Sequence, residues 1–166
     1  LQPIHPAPTA FIWKYVFSTD HKVIAKQFLW AGLLFLFVGG MMAMMIRWSW
    51  AAPGQPMPIL GAFLPETHGV IGPAVYTKLF TMHGLIMIFF AITPMMIGAF
   101  GNLTIPLMVG ARDMAFPKLN MFSFWSFVVA LGFIVASFFV HIGSAAAGWT
   151  TYPTLSRAIA AARTLH

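Results

Sequence analysis

Three long apolar stretches dominate the hydropathy pattern: Phe28–Ile46 ("FLWAGLLFLFVGGMMAMMI"), Leu79–Phe100 and Met121–Val140. None of them holds an Asp, Glu, Lys or Arg. An α-helix rises about 1.5 Å per residue, so about 20 apolar residues cross a hydrocarbon layer of about 30 Å. Each stretch is close to that length. One alone would also suit a buried helix of a water-soluble domain. Three in a chain of 166 residues predict an all-α integral membrane protein with three transmembrane helices, at about 28–46, 79–100 and 121–140.

The segments between them carry turn chemistry. Residues 48–77 include "AAPGQPMPILGAF" and "VIGPAVY", and residues 102–119 read "NLTIPLMVGARDMAFPKL". Proline and glycine at this density predict broken segments rather than helix. The last stretch, "GSAAAGWTTYPTLSRAIAAARTLH", leaves the third helix through small residues. No internal repeat is visible.

Composition agrees with a membrane setting. The chain is 60% hydrophobic and 7% charged, against about 25% charged in soluble domains. The net charge of +6 is spread between the apolar runs and forms no stripe, so it reads as anchoring to lipid headgroups and not as a nucleic-acid surface. With no cysteine there is no disulfide and no thiolate metal site. Leu1 stands where an initiator methionine would, which suggests a start within a longer chain, and no signal peptide is expected. Lys14, Lys22, Lys26, Arg112 and Lys118 fall on one side of the predicted spans. Arg47, Lys78, Arg157 and Arg163 fall on the other. The positive-inside rule therefore places the N-terminus and the 102–119 loop inside.

The candidate chemistry is sparse. His83 is the one ionisable group inside the second run, and an ionisable group at membrane depth is a functional candidate by default. A neutral imidazole is cheaper to bury than a carboxylate or an ammonium, and it suits a metal or haem iron. The alternative is a histidine hydrogen-bonded to a neighbouring helix. Gly84, Gly98 and Gly101 would let another helix or a flat ring approach the backbone. Twelve methionines among Leu, Phe and Ile read as packing filler in preference to a copper path. Arg47 ends the first run, either as an interfacial side chain or as a donor to a buried ligand. Asp113 lies near Asn102 and Asn120, which can hold water. It serves either as a proton-collecting acid or as a turn cap. His141 is expected at an interface. There is no phosphate-binding glycine loop, no nucleophile–base set and no zinc spacing.

The same residues carry a resemblance. "STDHK" (Ser18–Lys22), the block "MHGLIMIFFAITPMMIGAFGNLTIPLMVGARDMAFPKLNMFSFW" (Met82–Trp125) and "GWTTYPTLS" (Gly148–Ser156) together resemble subunit I of the haem–copper oxidases, in the cytochrome c oxidase branch. The resemblance implies that residues 1–166 are the N-terminal portion of a bundle of about twelve transmembrane helices. It implies that His83 is an axial iron ligand of a low-spin haem, haem A. Arg47 then approaches the haem formyl group, Tyr76 lines that region, and Trp149 lies by the haem propionates. Asp113 opens the D proton pathway, with Asn102 and Asn120 above it. The second haem and the copper belong to the remainder of the subunit. The implied partners are that remainder, subunits II and III, cytochrome c as electron donor, and the bilayer of a bacterial inner membrane, with no nucleic acid. The sequence departs from the family at Met121, where a second amide is usual, and at Lys118, where arginine is usual. It also lacks the acid that often follows the first helix's arginine. Two other readings stay open: a structural membrane subunit without cofactor, and a quinol oxidase subunit I.

Overall fold

The structure, a computed structural model, describes residues 10–139, 145–154 and 156. Three helices are long and apolar enough to cross a membrane: α1 (His21–Ala51), α2 (Pro73–Val109) and α3 (Pro117–Ala136). Among the described residues there is no strand. The fold is the expected all-α membrane architecture. His141, Arg157, Arg163 and the end of the third run at Val140 lie outside the described residues.

The helices do not stop where the apolar runs stop. α1 begins seven residues before Phe28, at "STDHK". There the Asp20 side chain accepts the Lys22 N–H at 2.8 Å and the Ser18 hydroxyl accepts the Asp20 N–H at 3.2 Å. A capped start satisfies orphan N–H groups, so the helix extends into polar sequence.

α2 runs on through Pro106 to Val109, into the 102–119 segment that the composition reads as broken. Pro94 and Pro106 each remove an N–H from the ladder. Around Pro94 the helix widens into i→i+5 turns over Ile86–Ile92 and Pro94–Gly101. In hydrocarbon an unpaired backbone group has no water to meet, so a distorted helix is cheaper than a broken one. The helix ends at Gly110, whose φ of 71° places it in the left-handed region glycine tolerates. The Gly110 N–H bonds the Leu107 carbonyl at 3.2 Å and the Ala111 N–H bonds the Pro106 carbonyl at 2.9 Å, a Schellman cap. The break between α2 and α3 is thus confined to 110–116. α3 opens with Pro117 in its first turn, where a missing N–H costs nothing.

α1 packs along the length of α2. Gly32 and Gly39 of α1 lie under Met95 and Met87 of α2, and Gly98 of α2 lies under Phe28 of α1; a Cβ at any of the three would collide with the side chain above it. The closeness is made by small residues receiving large ones. Phe35, Met42, Met45, Leu79, Met82 and Ile86 form one buried cluster, and Ile24, Phe28, Ala99 and Phe124 a second. The methionines at these positions pack as filler. α3 lays Met121, Phe124, Trp125, Phe127 and Val128 on the second cluster and Leu131 and Ile134 on the first, and most of its remaining surface is open.

The ends sort as expected. His21 Nδ1 and Asp113 Oδ1 are 3.0 Å apart, and the Trp125 indole N–H donates to the Val16 carbonyl at 3.3 Å. The start of α1 and the 110–116 loop therefore share one end. The 52–72 segment lies at the other, where the Trp48 indole N–H donates to the Gln55 carbonyl at 3.2 Å.

Candidate functional site

His83 stands two turns or more inside α2, on the side facing α1. Its Nδ1 lies 2.9 Å from the Gly39 carbonyl oxygen. A carbonyl only accepts, so Nδ1 carries the proton. The tautomer then leaves Nε2 with its lone pair free. This arrangement needs α1 and α2 in near backbone contact, and Gly39 supplies that contact. A Cβ there would sit 2.5 Å from Met87 Sδ. The glycine carbonyl is the acceptor the imidazole requires, and nothing in its sequence context marks it.

The residues around His83 divide into two groups. Toward the 52–72 end, Arg47 is exposed and its guanidinium sits 5.8 Å from the Trp50 ring centroid. Trp50 in turn lies 6.4 Å from the Tyr76 ring. Arg47 and Tyr76 are thereby brought to one patch, joined through a tryptophan. Next to His83, the space above Gly84 is filled by Trp149: a Cβ at Gly84 would lie 3.0 Å from Trp149 Cβ. The close approach at Gly84 belongs to this indole, a flat ring brought from the segment after α3. Trp149 also meets Phe89, ring centroids 6.5 Å apart.

Asn102 and Asn120 come together at the other end. They line one cavity of about 410 Å³ with Thr93, Met114, Ser123 and Phe28 among its walls. Asn102 is buried, and its amide donates to the Gly98 carbonyl at 2.7 Å. Asn120 Nδ2 is buried and finds no acceptor among the described residues. The walls are mostly apolar, so the unpaired Asn120 amide is one of the few polar groups there, with Asn102, Thr93 and Ser123, that could hold water. Asp113 is set apart from the two amides. Its Oδ1 accepts the His21 imidazole N–H at 3.0 Å and the Met114 backbone N–H at 2.8 Å. The second bond is the turn cap that the sequence offered as an alternative. The first was not read from the sequence at all, although His21 is part of "STDHK". Met114, the next residue, reaches the cavity wall, while the Asp113 side chain is not part of that wall and faces His21.

Among the described residues no cluster of three or more His, Cys, Asp or Glu side chains could hold a metal. A single imidazole with one free nitrogen fits an axial site completed by a ligand from elsewhere.

Residues 23–165 match the family model described as Cytochrome C and Quinol oxidase polypeptide I. The chain is 40% identical over 154 residues, 93% of its length, to cytochrome c oxidase subunit 1 of Thermostichus vulcanus, of which the match covers 25%. It is 42% identical over 142 residues, 86% of its length, to cytochrome c oxidase subunit 1 of Synechocystis sp., covering 23% of that protein. It is 40% identical over 147 residues, 88% of its length, to the alternative cytochrome c oxidase subunit 1 of Bradyrhizobium diazoefficiens, covering 23%. The chain spans about a quarter of the length of the curated relatives it matches.

Proposed function

Since the chain belongs to the cytochrome c and quinol oxidase polypeptide I family, we propose that it is the N-terminal portion of the catalytic subunit of a proton-translocating cytochrome c oxidase. Its part is to bind a low-spin haem, haem A, and to open the D proton pathway. The observation that carries the haem reading is the His83–Gly39 hydrogen bond of 2.9 Å. It holds the ring's direction and tautomer and leaves Nε2 for iron, as a partner on the non-ligating nitrogen does in metal sites.

When bound, the haem supplies reversible one-electron chemistry at iron. The chain's own residues bind and orient it. His83 Nε2 would hold the iron, Arg47 would donate to the formyl group, Tyr76 would line that region and Trp149 would meet the propionates. A second axial ligand, the second haem and the copper would come from the rest of the subunit. Asp113 collects protons at the loop end, and the Asn102–Asn120 cavity orders water beyond it. The N-terminus and the 110–116 loop face the inside of a bacterial inner membrane. Subunits II and III and cytochrome c complete the system; the cytochrome c oxidase names of the relatives favour that donor over quinol.

The test is His83→Ala in the assembled oxidase. The low-spin six-coordinate spectrum should vanish while the complex still assembles. His83→Met should keep an altered haem, because a thioether can ligate iron. An unchanged low-spin spectrum in His83→Ala favours the cofactor-free structural subunit instead.

A further inference from the structure

The segment after α3 returns to α2 at a defined place. Thr81 is fully buried, at 0% exposure. Its hydroxyl donates to the Thr77 carbonyl at 2.8 Å, which fixes the side-chain rotation and leaves the oxygen free to accept from outside the helix. The Gly148 N–H donates to that oxygen at 2.9 Å. One residue on, Trp149 packs on Gly84, where an added Cβ would lie 3.0 Å from Trp149 Cβ and 3.2 Å from Cγ. Positions 81 and 84 are three apart, so they share a helix face. Gly148 has a φ of 80°, a backbone shape that a side chain would strain. The turn's shape, its hydrogen bond and its contact are therefore set together.

A threonine inside a helix ordinarily satisfies its hydroxyl on the i−4 carbonyl and needs nothing more. The second bond, to a residue 67 positions away, serves the turn. The indole that this turn carries remains 42% exposed. A tryptophan clamped at its root and open at its ring is presented to a neighbour rather than packed as core.

We infer that Thr81 and Gly84 form a two-point notch that holds Trp149 in register with His83, so that Thr81 is a positioning residue for the haem edge that Trp149 meets. The notch stands on the two contacts. What Trp149 meets rests on the haem reading above.

The test uses the assembled oxidase with Thr81→Val, which keeps the shape and loses the acceptor, and Thr81→Ser, which keeps the acceptor and loses one methyl group. Amide exchange over residues 145–152 should be about ten-fold faster at Gly148 in Thr81→Val, the effect of losing one hydrogen bond, and near parental in Thr81→Ser. In redox titration, Trp149→Phe should shift a haem midpoint potential. Thr81→Val should shift it in the same direction, and the double variant should add nothing to Trp149→Phe. Gly84→Ala disturbs the other anchor and should reproduce the Thr81→Val pattern, which covers a Thr81→Val enzyme that fails to assemble. Parental exchange in Thr81→Val or Gly84→Ala overturns the notch. Faster exchange with a parental potential, where Trp149→Phe does shift it, overturns the positioning role. A parental potential in Trp149→Phe itself overturns the haem contact and the positioning role with it, while the exchange result still decides the notch.

Discussion

His21 Nδ1 and Asp113 Oδ1 lie 3.0 Å apart, joining the first turn of α1 to the 110–116 loop across 92 positions of sequence. The imidazole is 7% exposed and the carboxylate 41%, so a fixed, buried donor holds an acid that still faces water. The Asp20 carboxylate stands 3.9 Å from the same nitrogen. Asp113→Asn keeps an oxygen for His21 and Met114 but removes the charge, so it changes proton collection more than loop structure. In the assembled oxidase, turnover and proton pumping should fall roughly a hundred-fold or more, the scale of a lost proton-transfer group, with the haem spectrum unchanged. A fully pumping Asp113→Asn enzyme would remove the assignment. His21→Ala, by contrast, should speed amide exchange at Met114 by releasing the loop.

The carbonyl that meets His83 depends on the absence of a side chain at Gly39. In Gly39→Ala the new Cβ meets the far end of the flexible Met87 side chain, which can rotate away. Gly39→Val adds two more methyl groups against Met87 and Ile86 and forces α1 from α2, a penalty of about 1–3 kcal/mol for overpacking. Thermal denaturation should rank the parent, Gly39→Ala and Gly39→Val in falling order. The low-spin spectrum should be perturbed only in Gly39→Val. A Gly39→Val protein with parental spectrum and stability would show that the close approach does not set the imidazole.

The spans were legible because a bilayer leaves little choice: long uncharged runs must become helices. Their ends were not, since they follow from caps such as Asp20 and Gly110 that carry helix into polar sequence or halt it. Within the candidate site, His83 was visible as a lone ionisable group. Its acceptor was not, because every residue has a carbonyl and only folding selects Gly39. Gly84 could be read as a point of close approach, while its occupant, Trp149, comes from 65 positions further on in the numbering. His21 reads as part of a helix start, and its pairing with Asp113 is a long-range contact with no local pattern. Thr81 looks like ordinary helix filler until the turn that uses it is in place.

Sidedness has a direct test, helped by a sequence without native cysteine. Gln55 and Ala111 are both exposed, one in each of the two loops. The chain crosses between them once, along α2. Single cysteines at Gln55 and Ala111 should therefore react with an impermeant maleimide from opposite faces of sealed vesicles, with Ala111→Cys on the inside. Labelling of both from one face would overturn the three-span topology.

Asn102 and Asn120 share a cavity but are bonded differently, and this separates structure from proton transfer. The Asn102 amide donates to the Gly98 carbonyl inside the widened turns of α2. Asn102→Leu forfeits that bond, at a cost of about 1 kcal/mol. Asn120 Nδ2 has no acceptor among the described residues. Asn120→Leu therefore loses no bond to the protein from that nitrogen, and it gains an apolar side chain in a cavity already bounded by Phe28, Ile97 and Phe127. Its melting temperature should equal or exceed the parent's, whereas Asn102→Leu should melt lower. Proton uptake should slow in both, because each replaces a group that can order water with one that cannot. Deuterium solvent exchange and single-turnover uptake would read the second effect, and calorimetry the first. A destabilised Asn120→Leu with normal uptake would mean that the amide is a structural group and that the cavity carries no protons.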